Sequence, residues 1–244
     1  MKIALCFFGK THGFQTNYSG IWPRPPTKQK KIRCLHGIHT IRENVMQNHD
    51  VDVYFHAWVN SELTTQDLCD FLKPRKFKSE KQKKFAEGIR QQGYLSHFYS
   101  RTESLKMALD SQIEYDLIVA IRYDVIFFNP VKYENVKPDI LYADGDVPTK
   151  DWHIVGHPSV IKKLLSMFDF AKEKIANGIK LDSTSRIYNA YYKLHKIEKQ
   201  TLLYYNPKGV TTVPRDTDFC LVRSLPDDEI DYLEYCSAIR VSKE

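Results

Sequence analysis

Arg122 and Asp124 are the residues of this chain best placed to do chemistry. They lie in the run YDLIVAIRYDVIFF (115–128), directly after a stretch that is apolar on both faces. Open α/β sheets seat their ligands at the carboxyl ends of such strands. Asp124 offers the oxygen donors that Mg²⁺ or Mn²⁺ prefers. Arg122 can neutralise a phosphate or fix the carboxylate's orientation; the alternative is a buried Arg–Asp pair that holds a strand end. A second acidic cluster, Asp144-Gly145-Asp146, follows ILYA. Two carboxylates around a glycine can grip a metal and still admit a phosphate, although such pairs also make ordinary solvated turns. Asp151 stands beside Trp152 and His153. A carboxylate next to an indole can take a proton from a hydroxyl while the ring packs on a sugar face, or it is a loop acid beside a core tryptophan. Gly9 and Lys10 close the first apolar run in FFGKTHGF. That loop has neither nucleotide fingerprint, GxxxxGK(S/T) or GxGxxG, yet its glycine permits close backbone approach and its lysine supplies charge.

The elements that must position these residues follow from hydrophobic periodicity. Ile3–Phe8 reads as a buried strand, Cys34–Asn48 as a helix with apolar residues at helical spacing, and Val51–Trp58 as a second buried strand. Strand, helix and strand in that order imply a right-handed crossover and a parallel sheet. Gly9–Pro26, rich in Gly, Pro, Asn, Ser and Thr, reads as a long loop. A helix with Leu95, Phe98, Leu105 and Leu109 on one face precedes the strand Tyr115–Ile121, and Val125–Phe128 forms another short run. Ile140–Ala143, His153–Val155, Leu202–Tyr204 and Phe219–Val222 read as further strands; Pro158 opens a helix, and Thr184–Lys196 is another. The expectation is one α/β domain over 1–244, with a mixed, mainly parallel sheet flanked by helices. Residues 1–130 and 131–244 are its two halves.

Charge is segregated along the chain. The net charge is +6, but Met1–Arg42 holds eight Lys/Arg and no acid, and Lys73–Arg90 holds eight Lys/Arg against Glu80 and Glu87. The remainder is acidic, which suggests an anionic ligand near the first strand. The segment 73–90, with Phe77 and Phe85 interleaved, also admits a nucleic-acid-binding module, although it lacks an RRM, KH or zinc-finger signature and fits a solvated face better. Asp144 and Asp146 admit a phosphatase; the run is loosely similar to the DxDx(T/V) start of haloacid-dehalogenase-type enzymes, with Pro148 in the final place. There is no HExxH, GxSxG or CxxC pattern, and the five scattered cysteines fit free thiols. No stretch reaches the roughly 18 apolar residues of a membrane span. The expectation is a soluble, cytoplasmic protein.

Taken together, ALCFFG, DVYFHAW, YDLIVAIRYDVIFF and DWHIVGHPSVIKKL resemble small nucleotide-sugar-dependent glycosyltransferases of GT-A fold. Such enzymes are associated with microbial polysaccharides and with large DNA viruses that glycosylate their capsids. The resemblance covers about Met1 to Phe170. It implies a nucleotide-diphosphate sugar donor bound by the half 1–130, a glycan or glycoprotein acceptor on the side of the half 131–244, and a Mn²⁺ or Mg²⁺ cofactor. Phe8, Gly9, Lys10 and Thr11 would contact the base and ribose, with Arg122 and Asp124 completing the donor site. Asp124 takes the last position of the family's metal-binding DxD-like motif, and Arg122 departs from its first. Asp151 falls where the family carries an acid facing acceptor or sugar and is the candidate catalytic base. Lys10, Arg24 or Arg186 would stabilise the leaving diphosphate.

Overall fold

The computed structural model describes residues 1–10, 12–15, 30–59, 65–127, 129–144, 151–178, 184–203 and 219–221. In chain order these form β1 (Lys2–Lys10), β2 (His12–Gln15), β3 (Lys30–Arg33), α1 (Cys34–Ile41), β4 (Asp50–Trp58), α2 (Thr65–Leu72), β5 (Lys76–Glu80), α3 (Ile89–Leu109), β6 (Leu117–Arg122) and β7 (Val125–Phe127). They continue as β8 (Leu141–Asp144), β9 (His153–Gly156), α4 (Pro158–Lys162), α5 (Met167–Ala176), α6 (Thr184–Leu194), β10 (Lys199–Gln200) and β11 (Phe219–Leu221).

Seven strands make one sheet in the order β10-β8-β9-β6-β1-β4-β5. β1 runs parallel to both β4 and β6, and β5 and β10 are also parallel to their neighbours; β9 is antiparallel to β6 and to β8. The fold is therefore α/β with a mixed, mainly parallel sheet, a Rossmann-like arrangement. Both expected halves contribute strands to it. Ile3–Phe8 is wholly buried because helices cover both faces. Ile3, Leu5 and Phe7 alternate with Ala4, Cys6 and Phe8, and the two sets enter different cores. The first core packs under α1 and α2 through Ile38, Ile41, Leu68 and Leu72. The second packs under α3, α4, α5 and α6 through Phe98, Leu105, Ile161, Met167 and Tyr191.

Several expected elements move. The helix from Cys34 is regular only to Ile41 and continues as a π turn over Arg42–Met46. The long loop after Gly9 holds a β2–β3 ribbon. The helix opened by Pro158 is interrupted by a 3₁₀ turn at Lys163–Ser166. A strand expected at Leu202–Tyr204 lies earlier, at Lys199–Gln200, where it pairs with β8; Tyr204 falls outside the described residues. β5 escaped the sequence reading because KFKSE carries one apolar residue. Lysines at this sheet edge discourage pairing with another chain. Among the described residues no helix is long and apolar enough to cross a membrane.

One glycine sets how closely α1 approaches the sheet. A β-carbon on Gly37 would stand 2.3 Å from the Tyr123 carbonyl oxygen and 2.6 Å from that of Val125. These two carbonyls flank Asp124, so α1 seats directly on the turn that presents it. Gly37→Ala should lower stability by about 1–3 kcal/mol, because the contact is backbone and cannot swing aside. Gly93→Ala, on α3 with nothing within 4 Å, should instead add about 0.5–1 kcal/mol. Urea midpoints of the two variants check this, and equal shifts would be inconsistent with the packing described.

Candidate functional site

The carboxyl ends of the central strands carry a row of three side chains. Phe8 is in register with His56 of β4 on one side and Arg122 of β6 on the other, so all three project from the same face. The chain builds outward from β1 through β4 and β5, then returns to place β6 on β1's other side. That reversal is the point at which open α/β sheets form a ligand crevice. α3 lies over the row, bringing His97, Ser100 and Arg101 down at helical spacing i, i+3 and i+4.

Arg122 and Asp124 form a two-pronged ion pair. The guanidinium donates from Nε to Oδ1 at 2.9 Å and from Nη2 to Oδ2 at 2.6 Å. Asp124 is buried, and Asp124 and Asp151 together hold the Arg122 pKa above its ordinary value against the opposing effect of burial. Asp124 was expected to hold Mn²⁺ or Mg²⁺. These residues do not fit a divalent cation: both carboxylate oxygens already accept from a guanidinium, and a metal there would face Arg122's charge. Among the described residues no three His, Cys, Asp or Glu side chains converge as a metal site. The Arg122 backbone N–H donates to the Trp152 carbonyl at 3.1 Å, tying this pair to the Asp151 segment.

Asp151 is buried and meets His97, whose Nε2 lies 3.1 Å from Oδ2. Tyr188 of α6 stands 3.3 Å from the same nitrogen and 3.5 Å from the carboxylate. Arg101, with no exposed surface, donates from Nη1 to the Tyr188 hydroxyl at 2.5 Å, while its Nε has no hydrogen-bond partner among the described residues. Burial alone would raise the Asp151 carboxyl, but His97, Arg122 and Arg101 bring it down to about 2. Burial lowers the His97 pKa, with Asp151 opposing and Arg101 and Arg122 reinforcing the shift. His97 packs edge-on against Phe8, ring centroids 5.1 Å apart.

Gly9, the penultimate residue of β1, has φ +109°, a conformation that favours glycine. Its N–H donates to Ser100 Oγ at 2.8 Å. Ser100 Oγ is 2.7 Å from His56 Nδ1, and His56 Nε2 is 3.1 Å from Glu80 Oε1. The Gly9 amide expected to approach a nucleotide is thus engaged by the protein itself. Lys10 is exposed. Thr11 and Arg24 lie outside the described residues, and Arg186 is exposed on α6.

Four of the eight basic residues of this segment pair with acids. Lys78 contacts Glu103 at 2.5 Å and Glu80 at 3.4 Å, Lys83 contacts Glu80 at 2.9 Å, Arg75 contacts Asp52 at 3.2 Å and Lys84 contacts Glu87 at 2.8 Å. Lys78 and Lys83 also lie over the Tyr99 ring. These pairs offset part of the segment's charge.

Asp144 is wholly buried. Its Oδ2 lies 2.9 Å from His153 Nδ1, and its Oδ1 accepts the backbone N–H groups of Leu202 and Leu203 at 2.8 and 3.1 Å. A phosphatase nucleophile needs an open carboxylate, and this one is occupied as a brace; Asp146 lies outside the described residues.

Acid should weaken the fold in two separate windows. Burial lowers the pKa of His49, His56 and His97 from 6.5. The unfolded chain therefore binds more protons just below that value, and stability falls as pH drops through it. Glu80 is raised by burial, but hydrogen bonds from Lys83, His56 and Tyr99 bring it to about 2, like Asp151. Their contribution is fully present above the ordinary carboxylate range and is lost progressively as pH falls from about 4.5 to about 2. Thermal melting should show Tm falling between about pH 7.5 and about pH 5.5, and less steeply in His56→Gln.

His97, Arg101, Tyr188 and His56 were not anticipated from sequence. α3 is buried nearly all round, so its polar side chains line an interior where amphipathic reasoning assigns them to solvent. The available signal was polar residues at i, i+3 and i+4 (His97, Ser100, Arg101) on a helix whose apolar residues leave little polar face. No known family model matches this chain, and no curated protein matches it.

Proposed function

We propose that this protein is a nucleotide-sugar-dependent glycosyltransferase of GT-A type, acting in the cytoplasm on a glycan or glycoprotein acceptor. The observation that carries the reading is the group of buried Arg101, Asp124 and Asp151 with partly buried Arg122 and His97 beside the β1–β6 reversal. Ionisable groups with shifted pKa values gathered at such a strand-order reversal are the arrangement expected of a functional site. In this reading the base and ribose lie against Phe8, Gly9 and Lys10. Arg122 and Lys10 face the diphosphate, so its departing charge meets cationic side chains. Asp151 and His97 lie on the sugar and acceptor side. Buried Cys6 and partly buried Cys69 as free thiols agree with a reducing compartment.

A thermal-shift panel of nucleotide sugars, run with Mn²⁺ and with EDTA, tests the reading without a known acceptor. A ligand at about a hundred times its Kd adds about 2.7 kcal/mol, which for a chain of this size raises Tm by roughly 5–10 °C. At least one nucleotide sugar should do so in EDTA. A flat panel in both conditions would remove the proposal, and a shift seen only with Mn²⁺ would restore a cation to the donor site.

A further inference from the structure

Asp151 was expected to take the proton from the acceptor; its surroundings assign that role elsewhere. The carboxylate is the more enclosed member of its pair, with 7% of its side chain exposed against 17% for His97. The imidazole is therefore the more accessible of the two groups. Oδ2 is held by His97 Nε2 and approached by the Tyr188 hydroxyl. Arg101 on α3 and Arg122 on β6 add positive charge to its surroundings.

His97 has the complementary arrangement. Nε2 faces Asp151 and Tyr188, which fixes the proton on that nitrogen and leaves the lone pair on Nδ1. Nδ1 makes no hydrogen bond to any described residue. The ring is braced against Phe8 at the end of β1 and against its helix neighbour Phe98. A neutral imidazole oriented by a buried carboxylate is the arrangement that general bases use.

We infer that His97, through Nδ1, is the proton acceptor of this site and that Asp151 is its positioning residue. This rests on the glycosyl-transfer reading and specifies its base. As the acceptor's O–H bond breaks, its proton passes to Nδ1. The oxygen's electron pair forms the new bond to the anomeric carbon, while the bond from that carbon to the diphosphate oxygen breaks and its pair leaves on the diphosphate. The resulting imidazolium is stabilised by Asp151 and later returns its proton to solvent. The charged groups facing the ring are Asp151 from the segment before β9, Arg101 from α3 and Arg122 from β6, with the Tyr188 hydroxyl from α6.

Nucleotide release from the donor, to water or to a glycan acceptor, is measured against pH for the full chain and for His97→Gln and Asp151→Asn. Nucleotide-dependent Tm shifts are recorded for each. His97→Gln should lose about 10²–10⁴-fold in kcat while keeping its nucleotide Tm shift. The parent rate should fall on the acid side of the profile, and that limb should vanish in His97→Gln. In Asp151→Asn the limb should move to lower pH, because the imidazole loses the charge that favours its protonation, and kcat should fall. His97→Gln turnover within about threefold of the parent, an unaltered acid limb, or complete loss confined to Asp151→Asn overturns the assignment and leaves the transferase reading intact. If the parent binds no nucleotide at all, the transferase reading falls and the assignment falls with it. Should His97→Gln not fold, His97→Asn with the same measurements decides by the same outcomes.

Discussion

Asp124→Ala should lose both turnover and stability, for a reason different from removal of a metal ligand. The carboxylate holds Arg122 by two parallel hydrogen bonds, and breaking a buried pair costs about 3–5 kcal/mol when one charge is left behind. Arg122 retains Asp151 as a nearby counter-charge, so a loss of about 2–3 kcal/mol is expected, or roughly 4–12 °C in Tm. That rescue disturbs the site. A guanidinium turned toward Asp151 competes with His97 for the same carboxylate and leaves the diphosphate side. Misplacements of this kind cost about 10²-fold or more in rate. Asp124→Asn should retain more stability than Ala but little more activity, because the amide keeps the shape and loses the charge. Arg122→Lys should also fail, since a single ammonium cannot reproduce the fork. Unchanged kcat/KM in Asp124→Ala would contradict the role given to the pair. Activity restored by Mn²⁺ in Arg122→Ala, with Asp124 intact, would reopen the carboxylate as a cation ligand.

Asp144→Ala should be the more damaging change to the fold. It strands His153 Nδ1 and the amide groups of Leu202 and Leu203. Each buried donor without an acceptor costs about 1–3 kcal/mol. The sum is about 3–5 kcal/mol after allowing water to reach the partly exposed Leu202. Chemical denaturation checks it, with Asp144→Asn as the comparison. The asparagine oxygen can still accept the two amides, while His153 can change tautomer and donate from Nε2 to the Tyr133 hydroxyl, 3.2 Å away. Asparagine should therefore recover most of the loss, and equal losses in the two variants would discredit the brace. Because residues 202 and 203 follow β10, the alanine variant should also loosen that edge of the sheet, detectable as faster amide exchange there.

How far the sequence reaches depends on what each residue's neighbours are. Ile3–Phe8, Val51–Trp58 and the run ending at Ile121 announce themselves because both faces are buried and no polar residue interrupts them. Their parallel order follows from the crossover between them. Arg122 and Asp124 were legible as a strand-end pair; that they hold each other in two bonds was one of two readings left open. Asp151 was legible as a site acid but not as the partner of His97, 54 positions earlier on a helix whose burial depends on β1, β4 and α5. Asp144 was misleading because a DG step reads as a turn whether its acid faces water or backbone amides 58 positions away. The basic segment was visible as charge, whereas its neutralisation by Glu103 requires α3 to lie beside β5. Local pattern carries the strands; non-local contacts carry the chemistry.

β1 also has a bearing on how the chain is made. Ile3–Phe8, six consecutive buried apolar residues, needs β4 on one side and β6 on the other, and Phe8 meets Arg122 across 114 positions. At roughly 5–20 residues per second, the ribosome takes about 6–23 s to supply that second neighbour. Meanwhile the emerging chain carries an uncovered segment of the kind that associates edge to edge. Nascent chains halted before residue 117 should therefore recruit holding chaperones or precipitate, and chains released past β9 should not. Synthesis slowed after β4 prolongs this exposure, making yield a matter of translation tempo as well as of final stability.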